Sequence, residues 1–236
     1  MPHARVQAIG AARNEAACFR YRQSLRREDS ELKMNISYRM KAVVPAVLAL
    51  GLFAMATGAR AETWAIDPMH TNVSFAAQHM VISTVRGQFD KFSGTISATG
   101  TDPSSVKIEA TIDTASINTN QPMRDNDLKS ANFLDVAKYP TITFKSKKIE
   151  AAGDGKWKVT GDLTLHGVTK EVVLDVSGPS PEIKDPYGNA RRGASATTTI
   201  TRQDFGITYN KTLDSGGLVV GNDVAISIDV EAVKKP

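Results

Sequence analysis

From Glu62 to the C-terminus the chain alternates apolar and polar residues with a period of two, and that pattern confines it to β-strands. Val106, Ile108, Ala110 and Ile112 alternate with Lys107, Glu109, Thr111 and Asp113. Val224, Ile226, Ile228 and Val230 alternate with Ala225, Ser227, Asp229 and Glu231. The stretch from Trp157 to Leu165 repeats the pattern. Weaker versions mark Val73 to Phe75, Ile142 to Phe144, Val172 to Val176 and the Thr-rich Ala194 to Thr201. Successive side chains of a strand point to opposite faces, so each run has one apolar and one wet face, as in antiparallel sheets covered on one side.

Turn chemistry separates the runs, at Gly100-Thr101-Asp102-Pro103, Gly153-Asp154-Gly155, His166-Gly167, Asp185-Pro186-Tyr187-Gly188 and Gly216-Gly217. The short His166-Gly167 link makes its flanking strands a hairpin, with His166 exposed at the turn. Only residues 120–135 break the alternation; Pro122, early acids, Leu128 and Phe133 predict a short helix and loop, ended before Pro140. About eight strands apolar on one face must bury that face against one another. A closed barrel, whose interior at eight strands can hold one small ligand, and a two-sheet sandwich both do so. Periodicity does not separate the two. No internal repeat or linker divides residues 62–236, which read as one domain.

The segment before these strands changes what the composition means. Residues 40–61 carry Lys41, an apolar run from Ala42 to Ala56, and Ala59-Arg60-Ala61 as a small-x-small cleavage site. That run is shorter than the roughly 20 residues of a spanning helix, so it reads as a secretory signal peptide cleaved near Ala61 and not as a stable membrane insertion. Residues 1–39 are Arg-rich, without sustained periodicity, and read as a disordered upstream extension, with Met34 and Met40 as alternative starts. Residues 1–61 hold ten Lys and Arg against four acids, whereas residues 62–236 hold nineteen against twenty-one. The basic character of the whole chain therefore belongs to its N-terminal part, and nucleic-acid binding is not expected. The pairs Lys147-Lys148, Arg191-Arg192 and Lys234-Lys235 read as solvated. The one cysteine, Cys18, also precedes the strands, which leaves the remainder without disulfide, thiolate metal site or cysteine nucleophile.

Catalytic motifs are sparse. No G-x-S-x-G elbow, H-E-x-x-H pair or P-loop occurs. His70, His79 and Asp67 suggest a metal-assisted hydrolase as one alternative function. Nine residues, an odd number, separate the two histidines, so an unbroken strand puts them on opposite faces. Asp67-Pro68 reads better as a turn, and His79 as a polar group lining a pocket. Arg124, Asp125 and Asp127 form a polar cluster at the start of the predicted helix, and Arg202-Gln203-Asp204-Phe205-Gly206 reads as a turn closing the fold.

Four stretches, DPMHTNVSFAAQHMVISTVRGQFDKFSG (67–94), RDNDLKSANFLDVAKYPTITFKS (124–146), GDLTLHGVTKEV (161–172) and TRQDFGI (201–207), together resemble the YceI family of secreted bacterial proteins. The resemblance spans nearly all of residues 62–236. It implies an all-β fold, a single eight-stranded antiparallel lipocalin-like barrel with one short helical insertion. It also implies non-catalytic periplasmic binding of a long hydrophobic molecule, a polyisoprenoid or fatty-acid derivative, in the barrel, with no cofactor. Relatives often carry His at the position of Asp127, and Asp-Phe-Phe at Asn132-Phe133-Leu134. Candidate ligand-binding residues on the inward faces of the motif strands are Val73, Phe75, His79, Val85, Phe89, Phe92 and Phe144, with Leu128 and Phe133 from the insertion. A barrel filled by its own side chains, acting as a protein-interaction module, is the other alternative. The outer surface of an extended barrel leaves room for a homodimer.

Overall fold

The computed structural model describes residues 61–236 apart from Thr101 and Ser215. The expected extension (1–39) and all of the expected leader (40–61) except Ala61 lie outside the described residues. The described chain contains one α-helix, α1 (Pro122–Lys129), three short 3-10 turns (Pro103–Ser105, Thr114–Ser116 and Arg202–Phe205) and twelve strand segments. These are β1 (Ala61–Ile66), β2 (Asn72–His79), β3 (Ser83–Phe89), β4 (Phe92–Thr99), β5 (Lys107–Asp113) and β6 (Ile117–Asn118), followed by β7 (Thr141–Ala151), β8 (Lys156–Leu165), β9 (Val168–Ser177), β10 (Ile183–Lys184), β11 (Ala190–Thr201) and β12 (Val220–Lys234).

The sheet closes on itself, which decides between barrel and sandwich. Around the ring the order is β11, β9, β8, β7, β5, β4, β1 and β12, and β12 pairs back onto β11 over eleven residues. Eight antiparallel strands therefore make the wall. The other segments continue ring strands past a bend. On β12, Ala232–Lys234 pair with β1 while Val220–Asp229 pair with β2. Likewise β3 and β6 prolong β4 and β5, because β3 pairs with β2 and β6 pairs with β3. The boundary between β9 and β11 is short, with only Ser195–Thr197 and Asp175–Ser177 in register.

Local chemistry fixes the corners. Leu165 pairs with Val168, so His166-Gly167 is a two-residue hairpin loop, with φ of 52° and 75°. His166 is half-buried, contrary to its expected exposure. Its ring lies 4.5 Å from that of Tyr139, and Nδ1 sits 3.2 Å from the Phe205 carbonyl oxygen. Helix α1 begins with Pro122 in the first turn, where a missing N–H is harmless, and Gln121 Oε1 accepts from Met123 N. Asp125 turns back to accept from both the amide and the hydroxyl of Thr119, at 2.8 and 2.5 Å. Arg124 Nε donates to the same hydroxyl at 2.7 Å. The polar cluster read from the sequence is thus the anchor that ties α1 to the end of β6.

Candidate functional site

The inward faces of the ring strands enclose a cavity of about 320 Å³ with an apolar exposed wall. Alternation builds this wall directly. Val224, Ile226, Ile228 and Val230 line it from β12, Val172, Leu174 and Val176 from β9, and Ile108, Ala110 and Ile112 from β5. Their intervening neighbours face water. Ala194 and Ala196 on β11 leave room where bulkier residues would fill the bore. From Ala194 to Ile200 the wall extends six residues along β11, about 20 Å at ~3.3 Å per residue. The cavity is elongated along the strands.

The two ends differ. Toward α1 the cavity runs up against a buried cluster, and all of that cluster except Phe205 contributes to its lining. Ile117, Phe133, Leu134, Ile142, Leu165, Ile200, Phe205 and Ile207 form one buried cluster, with the Phe133 and Tyr209 rings 5.3 Å apart, edge to face. Arg202 lies within this end, 4 % exposed, with no carboxylate in contact. All its neighbours are neutral oxygens. Nε donates to the Gly221 carbonyl at 3.0 Å, and Nη1 donates to those of Ile207 and Tyr209 at 2.7 and 2.9 Å. Nη2 reaches the Val220 carbonyl and Asn222 Oδ1 at 3.3 and 3.4 Å. The reason is local: the β2–β12 register shifts between Val220 and Val224, which frees the Val220 and Gly221 carbonyls, and the strandless segment at Ile207 and Tyr209 supplies the other two. Burial pushes the Arg202 pKa down. Its role is to close the barrel end, in keeping with the turn read from the sequence.

At the opposite end Trp64, 6 % exposed, forms a platform. It pairs across the sheet with Ile96 and Lys234, and Ile96 lines the cavity. The Arg192 guanidinium and the Lys234 ammonium lie 5.4 and 5.5 Å from its ring centroid. Lys234 Nζ also meets Glu62 Oε1 at 2.7 Å. Arg191 and Arg192 are therefore not the solvated pair that the sequence suggested. Arg192 stacks on Trp64, and the neighbouring Arg191 bridges Asp67, Asp185 and Glu231 at 2.6–2.7 Å. Strand alternation sends adjacent residues to opposite faces, which a count of charges does not reveal.

Seven of the nine candidate residues lie on the cavity wall: Val73, Phe75, Phe89, Phe92, Phe144, Leu128 and Phe133. His79 and Val85 lie outside it. His79 pairs with Val220 and Val85 with Ala77, and both partners line the cavity, so these two residues stand at its edge. The sequence reading passed over Ile66, Ile96 and the small residues Ala194 and Ala196, although the last two belong to a run it identified as a strand.

The proposed metal pair does not assemble. His70 precedes the eight-residue β2 and His79 ends it, which separates them by more than about 20 Å of extended chain. Asp67, His70 and Glu231 do come together at the β1–β2 corner. Within that group His70 Nδ1 lies 2.8 Å from Asp67 Oδ2, and Arg191 Nη1 already contacts Asp67 Oδ2 and Glu231 Oε1 at 2.6 Å each. The guanidinium thus supplies the cation that these carboxylates need. Hydrogen bonds from His70, Arg191 and the Met69 amide hold the Asp67 carboxyl at about 2, well below its usual range.

A profile of the YceI-like domain family matches residues 64–232. The chain belongs to the YceI-like family. A relative from Ectopseudomonas mendocina (strain ymp), a "UPF0312 protein", is 41 % identical over 165 residues, 69 % of this chain and 86 % of its own length. Among solved structures, Burkholderia cenocepacia BcnA superposes with a TM-score of 0.60 at 25 % identity, covering 70 % of this chain and 98 % of that one. A polyisoprenoid binding domain from Saccharophagus degradans superposes with a TM-score of 0.54 at 18 % identity, over 73 % of this chain and 98 % of its own. At that identity the likeness is one of fold. The YceI-like barrel thus presents a long apolar cavity that reaches the buried cluster beside α1.

Proposed function

We propose that the chain binds one long apolar molecule, a polyisoprenoid or fatty-acid derivative, in its barrel without altering it chemically, and does so in the periplasm after export. The observation that carries this reading is the 320 Å³ cavity and its apolar wall, a volume at the lower end of the ~300–1,000 Å³ of small-molecule pockets. A tail of roughly fifteen carbons offers on the order of 12 kcal/mol of gross burial, against an association cost of about 4–15 kcal/mol. The burial term is thus of the size needed to offset association across most of that range without charged anchors. Arg202 also lines the cavity, but its N–H groups are all taken by neutral oxygens, so a carboxylate or phosphate pushed in would lose its hydration without gaining hydrogen bonds and the inserted part is hydrocarbon. The Saccharophagus degradans neighbour, a polyisoprenoid binding domain, supports the ligand class. The periplasmic location rests on the signal-peptide pattern of residues 40–61.

The test is organic extraction of the purified protein followed by mass spectrometry. The expected result is a hydrophobic compound in molar amounts near the protein's own. Extracts free of such a compound, together with no uptake of added polyprenyl or acyl lipids, would overturn the proposal.

A further inference from the structure

The arm formed by β2 and β3 ends in a turn that keeps three consecutive apolar side chains in water. Met80, Val81 and Ile82 are 38, 60 and 83 % exposed. The turn backbone is unfavourable for these residues. Met80 and Val81 have φ of 53° and 61°, the left-handed region that Asn and Gly enter readily and a β-branched residue rarely does. Solubility and turn stability both favour a polar pair here, yet the chain carries Met-Val-Ile. Strain at Met80 and Val81, beside exposure of all three residues, points to a role outside the barrel.

The surroundings narrow what that role is. From Ala76 to Val85 no Asp, Glu, Lys or Arg occurs, and the loop that braces the arm carries one charge of each sign, Lys211 and Asp214. The arm is held from behind, because the Met80 amide donates to the Val219 carbonyl at 2.8 Å. The Val81 and Leu213 side chains both pack at Gly217, within 3.5 Å of the site a Cβ would take there. An uncharged, convex, braced tip suits a fluid apolar medium better than a shaped protein groove. Resting on the reading that the barrel carries a lipid, we propose that Met80, Val81 and Ile82 dock the protein on a phospholipid bilayer, entering the headgroup–acyl boundary while cargo passes to or from the membrane. With no charge at the tip, docking depends on burial of apolar surface and is insensitive to salt.

The test compares the unaltered protein with the triple variant Met80→Asn, Val81→Gly, Ile82→Ser on vesicles of phosphatidylethanolamine and phosphatidylglycerol. Asn-Gly suits the turn, so the variant should unfold at the same temperature or higher. Its vesicle partitioning in a sedimentation assay should fall by about tenfold or more, as expected on losing two branched apolar side chains from the interface. Binding by the unaltered protein should persist in high salt. Equal partitioning of the two proteins, no partitioning by either, or loss of binding in salt would each overturn the docking role. Dimerisation without vesicles that the substitutions abolish would reassign the tip to self-association. Uptake of a fluorescent polyprenol from dilute detergent, measured in parallel, separates the two readings. Loading that both proteins share, with tip-dependent vesicle binding, supports both; tip-dependent vesicle binding without loading by either protein sinks the lipid cargo alone.

Discussion

Replacing Ala196 by phenylalanine should block the cavity while leaving the barrel standing. Ala196 is 9 % exposed and sits on the inner wall between Val176 of β9 and Ile228 of β12, its partners in register. A ring placed there projects into the cavity and not into packed atoms. Its six carbons displace on the order of five carbons of a guest chain, which at ~0.8 kcal/mol per methylene removes about 4 kcal/mol of burial. Affinity should fall by about a thousandfold. Titration with a fluorescent polyprenol or fatty-acid probe reads the affinity, and thermal unfolding reads the fold. Were the space already filled, the ring would overpack the core and cost about 1–3 kcal/mol. That would lower the unfolding temperature by about 2–12 °C for a chain of this size. Unchanged affinity, or such a drop in stability, refutes the argument that the interior is open to a guest.

Arg202→Met should destabilise the fold by about 3–5 kcal/mol in urea unfolding, because it strips hydrogen bonds from the buried oxygens around the β12 register shift. Acid should also loosen the β1–β2 corner. The folded Asp67 carboxyl titrates at about 2, below the usual value near 4, so its stabilisation is complete above pH ~4 and is lost as pH falls toward 2. Asp67→Asn should flatten that part of the stability–pH curve, as followed by unfolding midpoints. Gly161→Ala should cost about 1–3 kcal/mol, because its Cβ would lie 2.5 Å from the Phe144 ring and 2.6 Å from the Lys145 carbonyl oxygen, a crowding that unfolding midpoints will report.

How much of this was legible follows from what a period of two encodes. It assigns faces, so Ile108, Ala110 and Ile112, or Val224 through Val230, could be placed inward before any coordinates. It does not say whether facing side chains meet. The choice between sandwich and barrel rested on the β11–β12 pairing, and the cavity on alanines at positions 194 and 196, whose small size carries no periodic signal. His79 shares the inward parity of Val73, Phe75 and Ala77 but lies just past the last of them to line the cavity, and alternation does not mark where a cavity stops. Arg191 and Arg192 read as a surface pair because the carboxylates that meet Arg191 lie up to 124 positions away in the chain. Arg202 was legible as part of a turn, whereas its burial depended on carbonyls from loops not yet placed.

The three-pair junction of β9 with β11 has a mechanical consequence for a container of this kind. The boundary of β1 with β12 is equally short, but β12 goes on to pair with β2 from Val220 to Asp229, so strain applied from within concentrates along the β9–β11 stitch. Amides of Asp175–Ser177 and Ser195–Thr197 should trade hydrogen for deuterium ahead of their neighbours, and a stout guest would stretch the vessel there first.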